Sequence, residues 1–114
     1  KLLFKDKKYN IYCYLKKQKK QIALTKNKNL SFLSNLNIPK IQLIKFNQSR
    51  INNKWIHLCS YKNSISNVRM NINLFYKFTK TKPKNFKWYS IKYPSNEFIP
   101  TFTKKIINKI NKIA

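Results

Sequence analysis

The chain of 114 residues contains no glycine, a single histidine and only two acidic residues, Asp6 and Glu97. The absence of glycine excludes the glycine-rich loops that hold phosphate in many nucleotide-dependent enzymes. Two carboxylates far apart in sequence suggest no catalytic pair, and one histidine without a neighbouring acid gives no sign of a catalytic triad. We therefore expect that the protein is not an enzyme and that it needs no cofactor.

Cysteine is also scarce. Cys13 and Cys59 are the only two, and the chain has no C-x-x-C pair. With His57 as the one histidine, the usual ligand sets of a structural zinc site are missing. Two buried thiols are the expected arrangement, and a disulfide between them stays open. No apolar run reaches the length of a transmembrane helix.

Several residue types are rare in a way that points to the coding genome. Alanine and arginine each occur twice and proline four times, whereas Lys, Asn, Ile, Phe and Tyr fill the chain. The abundant types have codons rich in A and T, which indicates an AT-rich genome such as that of an organelle. Residues 1–6 lack the features of a secretory signal or a transit peptide, so we expect a protein made inside the organelle or already processed. A mitochondrial location is predicted, with a plastid as the alternative.

Positive charge is what the chain has in excess. Lysine and arginine number 26, which gives a formal net charge of +24. Codon bias does not explain the shortage of acids, because Asp and Glu codons tolerate A and T as well as those of Gln and Thr. Such a chain repels itself, and binding to a polyanion relieves the repulsion. With 42% hydrophobic residues and 17 aromatic ones (8 Phe, 7 Tyr and 2 Trp), it can still build a small core.

Lysines and aromatic residues alternate through most of the chain, as in Tyr61-Lys62, Tyr76-Lys77-Phe78, Phe86-Lys87-Trp88 and Lys92-Tyr93. Lysine neutralises phosphate and releases counterions, while an aromatic ring can stack on an unpaired base. Charge spread over all faces favours a protein embedded among RNA helices. A basic DNA-binding protein of an organelle nucleoid and a membrane-active basic protein are the other two classes that this composition allows.

Local patterns predict strands and two helices. Aromatic and β-branched residues at 9–15 and 21–25 predict a hairpin with a basic turn. That turn either touches phosphate or keeps an edge hairpin soluble. Leu30, Leu33 and Leu36 predict a helix over 29–37, ended by Pro39. Residues 54–59 and 86–91 are strand candidates, and the alternation at 70–78, broken only at Phe75, is the clearest strand signal.

The C-terminal segment 103–113 has isoleucines at helical spacing and lysines around them. It is predicted to form a short basic amphipathic helix that folds only against a partner. A helix at a membrane surface has the same pattern, although this one lacks an aromatic residue in its apolar face.

Two segments resemble small-subunit ribosomal protein nineteen. Residues 56–65, IHLCSYKNSI, resemble the family motif I-x-T-W-S-R-R-S-T-I, and residues 96–103, NEFIPTFT, resemble G-E-F-x-P-T-R-T. Cys59 replaces the motif's tryptophan, and Tyr61 and Phe102 replace two of its arginines. The likeness covers roughly residues 53–104, and the spacing between the motifs agrees to within one residue. Glu97, one of only two acids, falls at the family's glutamate.

The resemblance implies a small α+β domain on the 3′ domain of the small-subunit rRNA, in the head of that subunit. Its implied neighbours are small-subunit protein thirteen and, near the C-terminal tail, tRNA. The implied phosphate-contacting loop is Ser60, Tyr61, Lys62 and Asn63. Lys92, Tyr93, Lys104 and Lys105 form the implied second contact region.

Together these observations predict a structural constituent of an organellar ribosome. The expected fold class is α+β, with a small antiparallel sheet and a short helix. Residues 1–28 are predicted to be a hairpin-like extension, 29–98 the RNA-binding domain and 99–114 a basic tail. The expected RNA-binding residues include, besides the eight just named, six further basic residues: Arg69, Lys77, Lys80, Lys82, Lys84 and Lys87. Another ribosomal protein of either subunit fits the composition equally.

Overall fold

A computed structural model describes residues 5–16, 20–28, 35–44, 54–65, 68–91 and 99–112. Within these residues the elements are seven strands and one helix: β1 Lys5–Lys16, β2 Gln21–Lys26, β3 Asn37–Ile38, β4 Lys40–Ile44, β5 Ile56–Ile65, β6 Val68–Phe78, β7 Lys87–Ser90 and α1 Thr101–Asn111.

The centre of the sheet is β1, which has neighbours on both edges. One edge pairs in parallel with β6, from Lys5 opposite Val68 to Leu15 opposite Phe78. The other edge pairs antiparallel with β4 along its middle and with β2 at its end. Strand β2 continues to β3 and β7, and β5 pairs antiparallel with β6 at the far edge. The result is a mixed sheet in the order β3-β2-β1-β6-β5 with two side branches.

The predicted fold class is therefore wrong in its sheet, which is large and mixed rather than small and antiparallel. The parallel pairing of β1 with β6 joins residues some sixty positions apart, and such pairs need a long crossover connection. An alternating pattern within one strand contains no information about the partner or its direction. For this reason the local reading of residues 70–78 located β6 correctly but not its neighbour.

The hairpin predicted within residues 1–28 is present as the antiparallel pair β1 and β2, and it forms the middle of the sheet rather than an extension of it. The side chains of Tyr9, Ile11, Cys13 and Leu15 alternate along one face of β1 and are at most 2% exposed. Asn10 and Tyr12, on the opposite face, are buried as well. A strand that is buried on both faces has a nearly continuous run of apolar residues, and residues 9–15 are such a run.

The predicted C-terminal tail is an integral part of the core rather than a separate basic arm. Phe102, Ile106, Ile107 and Ile110 of α1 are buried in the same cluster as the side chains on one face of β1, β2 and β6. The buried Thr103 hydroxyl donates a hydrogen bond of 2.7 Å to the carbonyl oxygen of Asn37 on β3. The helix does not need an external partner to bury its apolar face.

The last three residues of the helix predicted over 29–37 are not helical in the structure. Residues 29–34 lie outside the described residues, Asn35 and Leu36 form a turn, and Asn37 begins β3. Asn35 has a φ of 62°, and Lys20 and Asn85 also have positive φ. In a chain without glycine, asparagine is the residue type that accepts this backbone region most readily.

Both cysteines are free; Cys13 is fully buried and Cys59 is half-buried. Cys13 lies opposite Tyr76 and Cys59 opposite Leu74, with β6 between their two strands. Two strand spacings separate their backbones by roughly 9–10 Å, too far for a disulfide. Burial raises the pKa of the Cys13 thiol, so this cysteine stays protonated and unreactive in the folded protein.

Candidate nucleic-acid interface

A basic groove of about 370 Å³ lies between the edge strand β5 and the helix α1. Strand β5 contributes Tyr61, Lys62 and Asn63, and the helix contributes Lys105, Asn108, Lys109 and Lys112. The helix supplies its share because positions 105, 108, 109 and 112 lie on one helical face, beside the face that Ile106 and Ile110 bury in the core. The groove exists because the apolar face of α1 is anchored on the sheet.

The charged side chains that line this groove in the described residues are all positive. Among the described residues that line it, four of seven are lysines and none is acidic. Among the described residues the one acid is Asp6, which lies on β1 directly opposite Arg69 of β6. Lysines gathered without counter-charges repel each other, and phosphate groups between them remove that repulsion. Asn63 and Asn108 add amide groups that can bind phosphate oxygens or sugar hydroxyls.

Tyr61 forms the inner wall of the groove. The Lys109 ammonium lies 4.6 Å from the centroid of its ring, a cation–π contact. Its hydroxyl is buried and has no hydrogen-bond partner among the described residues. Burial, together with the nearby Cys13 and Cys59 thiols, raises the pKa of Tyr61. In this geometry the ring, rather than the hydroxyl, is the part that supports a ligand in the groove.

Four of the residues predicted from the sequence meet at the groove: Tyr61, Lys62, Asn63 and Lys105. Ser60 is exposed on the same strand, where its hydroxyl donates to Asn73 Oδ1 at 2.7 Å. The family resemblance implies that residues 60–63 form a loop. In the structure they belong to the extended strand β5. Their grouping with Lys105 joins two segments that are over forty positions apart.

The remaining predicted residues are distributed over other parts of the surface. Lys104 is exposed on α1, Arg69 on β6, and Lys77 lies half-buried on β6. Lys80, Lys82, Lys84 and Lys87 are exposed along the connection from β6 to β7 and at the start of β7. Lys92 and Tyr93 lie outside the described residues. The role of each of these residues in binding stays a prediction.

Asn108, Lys109 and Lys112 were not among the sequence-predicted binding residues. The signal that could have found them is the spacing of Lys105, Lys109 and Lys112 at i, i+4 and i+7 on one face of the predicted helix. Their nearness to β5 had no local signal, because it depends on how the helix packs on the sheet.

In the part of the chain that the structure describes, no three His, Cys, Asp or Glu residues come together as a metal site. No helix within the same residues is long and apolar enough to cross a membrane.

Comparison with known proteins identifies the fold but no family. No protein-family model matches the chain, and no curated protein matches it. A solved structure does match, the complex between the C-terminal domain of mouse MUTYH and human PCNA, with a TM-score of 0.74. The match covers 96% of this chain and 90% of that chain, at 10% sequence identity. At this identity the chain shares a fold with that structure, and the likeness extends to nothing further.

Proposed function

We propose that this protein is a structural, RNA-binding component of an organellar ribosome, and that its groove between β5 and α1 holds phosphates of rRNA. The observation that supports this most strongly is the gathering of Lys62, Lys105, Lys109 and Lys112 at one groove, with no acid among the described residues that line it. A chain of net charge +24 with two acids has a surface that suits a densely charged polyanion. Binding, and not catalysis, is the function that this chemistry supports.

Physically, the protein acts as a scaffold. The core fixes β5 and α1 relative to each other, so the groove lysines keep their spacing when RNA binds. Phosphate contacts of this kind orient a protein on RNA without reading sequence. Each lysine that neutralises a phosphate also releases a counterion, which adds affinity that falls with salt concentration.

The assignment to the small ribosomal subunit rests on the resemblance of residues 56–65 and 96–103 to small-subunit ribosomal protein nineteen. It implies the small-subunit head, with small-subunit protein thirteen and tRNA as neighbours and the mitochondrion as the compartment. The small antiparallel domain implied with it is not the fold of this chain, so the choice of subunit depends on those motifs alone.

The test is sedimentation of an organelle lysate with the two ribosomal subunits separated, in which this chain is followed by its peptides. We expect comigration with the small subunit through a high-salt wash. Comigration with the large subunit would retain the ribosomal function and exclude the family assignment. Recovery in the nucleoid fraction would identify DNA as the polyanion, and recovery with membranes would identify a lipid surface; either would refute the proposal.

A further inference from the structure

The face of the sheet opposite α1 carries a continuous row of aromatic rings. Six rings from β1, β5, β6 and the segments before β5 and β7 follow one another with centroid distances between 4.9 and 6.4 Å. In order, this aromatic row is Phe86, Tyr14, Trp55, Tyr12, Phe75 and His57. Such contacts fix ring orientations, so the row is a preformed surface.

The rings of this row differ in how far they are exposed to solvent. Tyr12 and Phe75 are buried and form its base, with ring centroids 5.6 Å apart in a stacked arrangement. Trp55 and Tyr14 are partly exposed, and His57 is exposed. The rings at the rim therefore offer area for stacking while those beneath hold them in position.

Two lysines lie over aromatic rings on this face. The Lys77 ammonium is 4.6 Å from the Trp55 ring centroid and 5.1 Å from that of Tyr14. The Lys16 ammonium lies 5.2 Å from the ring centroid of Trp88. A cation beside a stacking ring is the arrangement that binds a base and its own phosphate together.

A line of polar groups crosses the same face. Hydrogen bonds of 2.7–3.3 Å connect side chains on four adjacent strands, β4, β1, β6 and β5. The line consists of Gln42, Tyr12, Asn10, Asn73, Ser60 and His57. Its ends at Gln42, Ser60 and His57 are exposed. Amide, hydroxyl and imidazole groups are the donors and acceptors that read the edges of unstacked bases.

We propose that this face binds unpaired bases of single-stranded RNA, with Trp55 and His57 as stacking residues and Lys77 as the phosphate contact. The inference deepens the proposed function: it names single-stranded segments as the RNA that this second surface takes, while the groove holds backbone phosphates. A polyanion is the occupant that the charge supports, because Asp6 is the one described acid and it lies opposite Arg69 at the far end of the strands. Bases are the part of that polyanion which the exposed and partly exposed rings of the row fit.

The first experiment uses the 114-residue chain with Trp88→Phe, which leaves Trp55 as its one tryptophan. Its fluorescence is titrated with an unstructured oligoribonucleotide of about ten nucleotides, an abasic strand of equal length and an RNA duplex. We expect the oligoribonucleotide to quench Trp55, and the abasic strand and the duplex to bind with little quenching. Equal quenching by the abasic strand, or none by any of the three, would overturn the proposal.

Two variants separate this face from the groove. In the 114-residue chain, Trp55→Leu should weaken single-strand binding about 5- to 150-fold while the salt dependence keeps its slope, since stacking releases few counterions. Lys109→Gln should lower the slope of log K against log salt for rRNA binding. In the Trp88→Phe background, the same change should leave the quenching of Trp55 by the oligoribonucleotide intact. His57→Ala, at an exposed position, provides a second stacking variant if Trp55→Leu fails to fold, and unchanged single-strand affinity in folded His57→Ala would then refute the proposal.

The outcomes also separate this inference from the proposed function. Absence of the chain from both ribosomal subunits, together with base-dependent quenching of Trp55, would refute the ribosomal assignment and retain single-strand binding. Comigration with a ribosomal subunit, without base-dependent quenching, would retain the assignment and refute this inference. Quenching by a second copy of the chain at high protein concentration, without RNA, would identify the face as a self-association surface and overturn the proposal.

Discussion

At the scale of single residues, Tyr61 shows how the sheet separates groups that are adjacent in sequence. The Tyr61-Lys62 pair is one of the alternating aromatic and basic pairs that suggested RNA binding. In a strand, neighbouring side chains leave the backbone on opposite faces, so the cation over an aromatic ring comes from another part of the chain and not from the adjacent lysine. The ring of Tyr61 instead contacts Lys109, and Lys77 contacts Tyr14 and Trp55. The cation–aromatic contacts of the fold join distant residues.

The buried Tyr61 hydroxyl provides a prediction at this scale. A buried hydroxyl without a partner costs about 1–3 kcal/mol. Tyr61→Phe should therefore leave the free energy of unfolding unchanged or raise it, and RNA affinity should stay the same because the ring remains. Chemical denaturation and RNA titration of the two proteins check this. A clear loss of RNA affinity would mean that the hydroxyl contacts the ligand.

The same variant has an expected pH dependence. The pKa of Tyr61 is higher in the folded protein than its ordinary value of 10.0. A group with a raised folded pKa contributes stability below its unfolded pKa and loses it as pH rises above that value. The wild-type protein should therefore lose stability above about pH 10 more steeply than Tyr61→Phe, as measured by urea denaturation at several pH values. Parallel curves would show that this group does not titrate with folding.

At the scale of elements, periodicity predicted positions well and partners poorly. Alternation predicted a strand at residues 70–78, where β6 spans 68–78, and isoleucine spacing predicted a helix at residues 103–113, where α1 spans 101–111. Phe75, the one break in the alternation, faces the other side of the sheet, where it stacks on Tyr12. The residue that weakened the strand signal therefore belongs to the aromatic row. What local sequence could not indicate is that β1 lies between β4 and β6, because those pairings depend on long-range closure.

The helix provides the prediction for this scale. Ile106 is fully buried against the sheet. Ile106→Ala should lower the free energy of unfolding of the RNA-free protein by about 2–5 kcal/mol, through lost burial and the cavity that remains. Asn108→Ala, an exposed change on the same helix, should alter it by less than about 0.5 kcal/mol. Similar stabilities for both variants in denaturant titrations would show that α1 is not docked in the free protein.

At the scale of the whole molecule, burial of the core stabilises the folded state while repulsion among the positive charges destabilises it. Buried and half-buried side chains from all seven described strands and from α1 join in one core, while a charge of +24 repels across the whole surface. A polyanion as the ligand stays a prediction from the sequence, and it rests on the net charge, which can be counted without knowledge of the fold. The groove could not be predicted, since its two walls come from segments that the fold alone brings together.

The balance between core burial and charge repulsion predicts how RNA affects unfolding. At low salt the free protein should unfold in a weak, broad transition, because repulsion is least screened there. Added rRNA should sharpen the transition and raise its midpoint, since a ligand that binds the folded state stabilises it. Calorimetry or circular dichroism with and without rRNA measures both effects. A cooperative transition without RNA that RNA leaves unchanged would contradict the account.

The groove is tested most directly by the salt dependence of binding to organellar small-subunit rRNA. The test compares the wild-type chain with a triple variant, Lys105→Gln, Lys109→Gln and Lys112→Gln. The matched control removes three exposed lysines elsewhere, with Lys20→Gln, Lys28→Gln and Lys40→Gln. The account predicts that the slope of log K against log salt falls in magnitude by about 2–3 in the groove variant and by less than about 1 in the control. Equal losses in the two variants, or an unchanged slope in the groove variant, would show that RNA binds elsewhere.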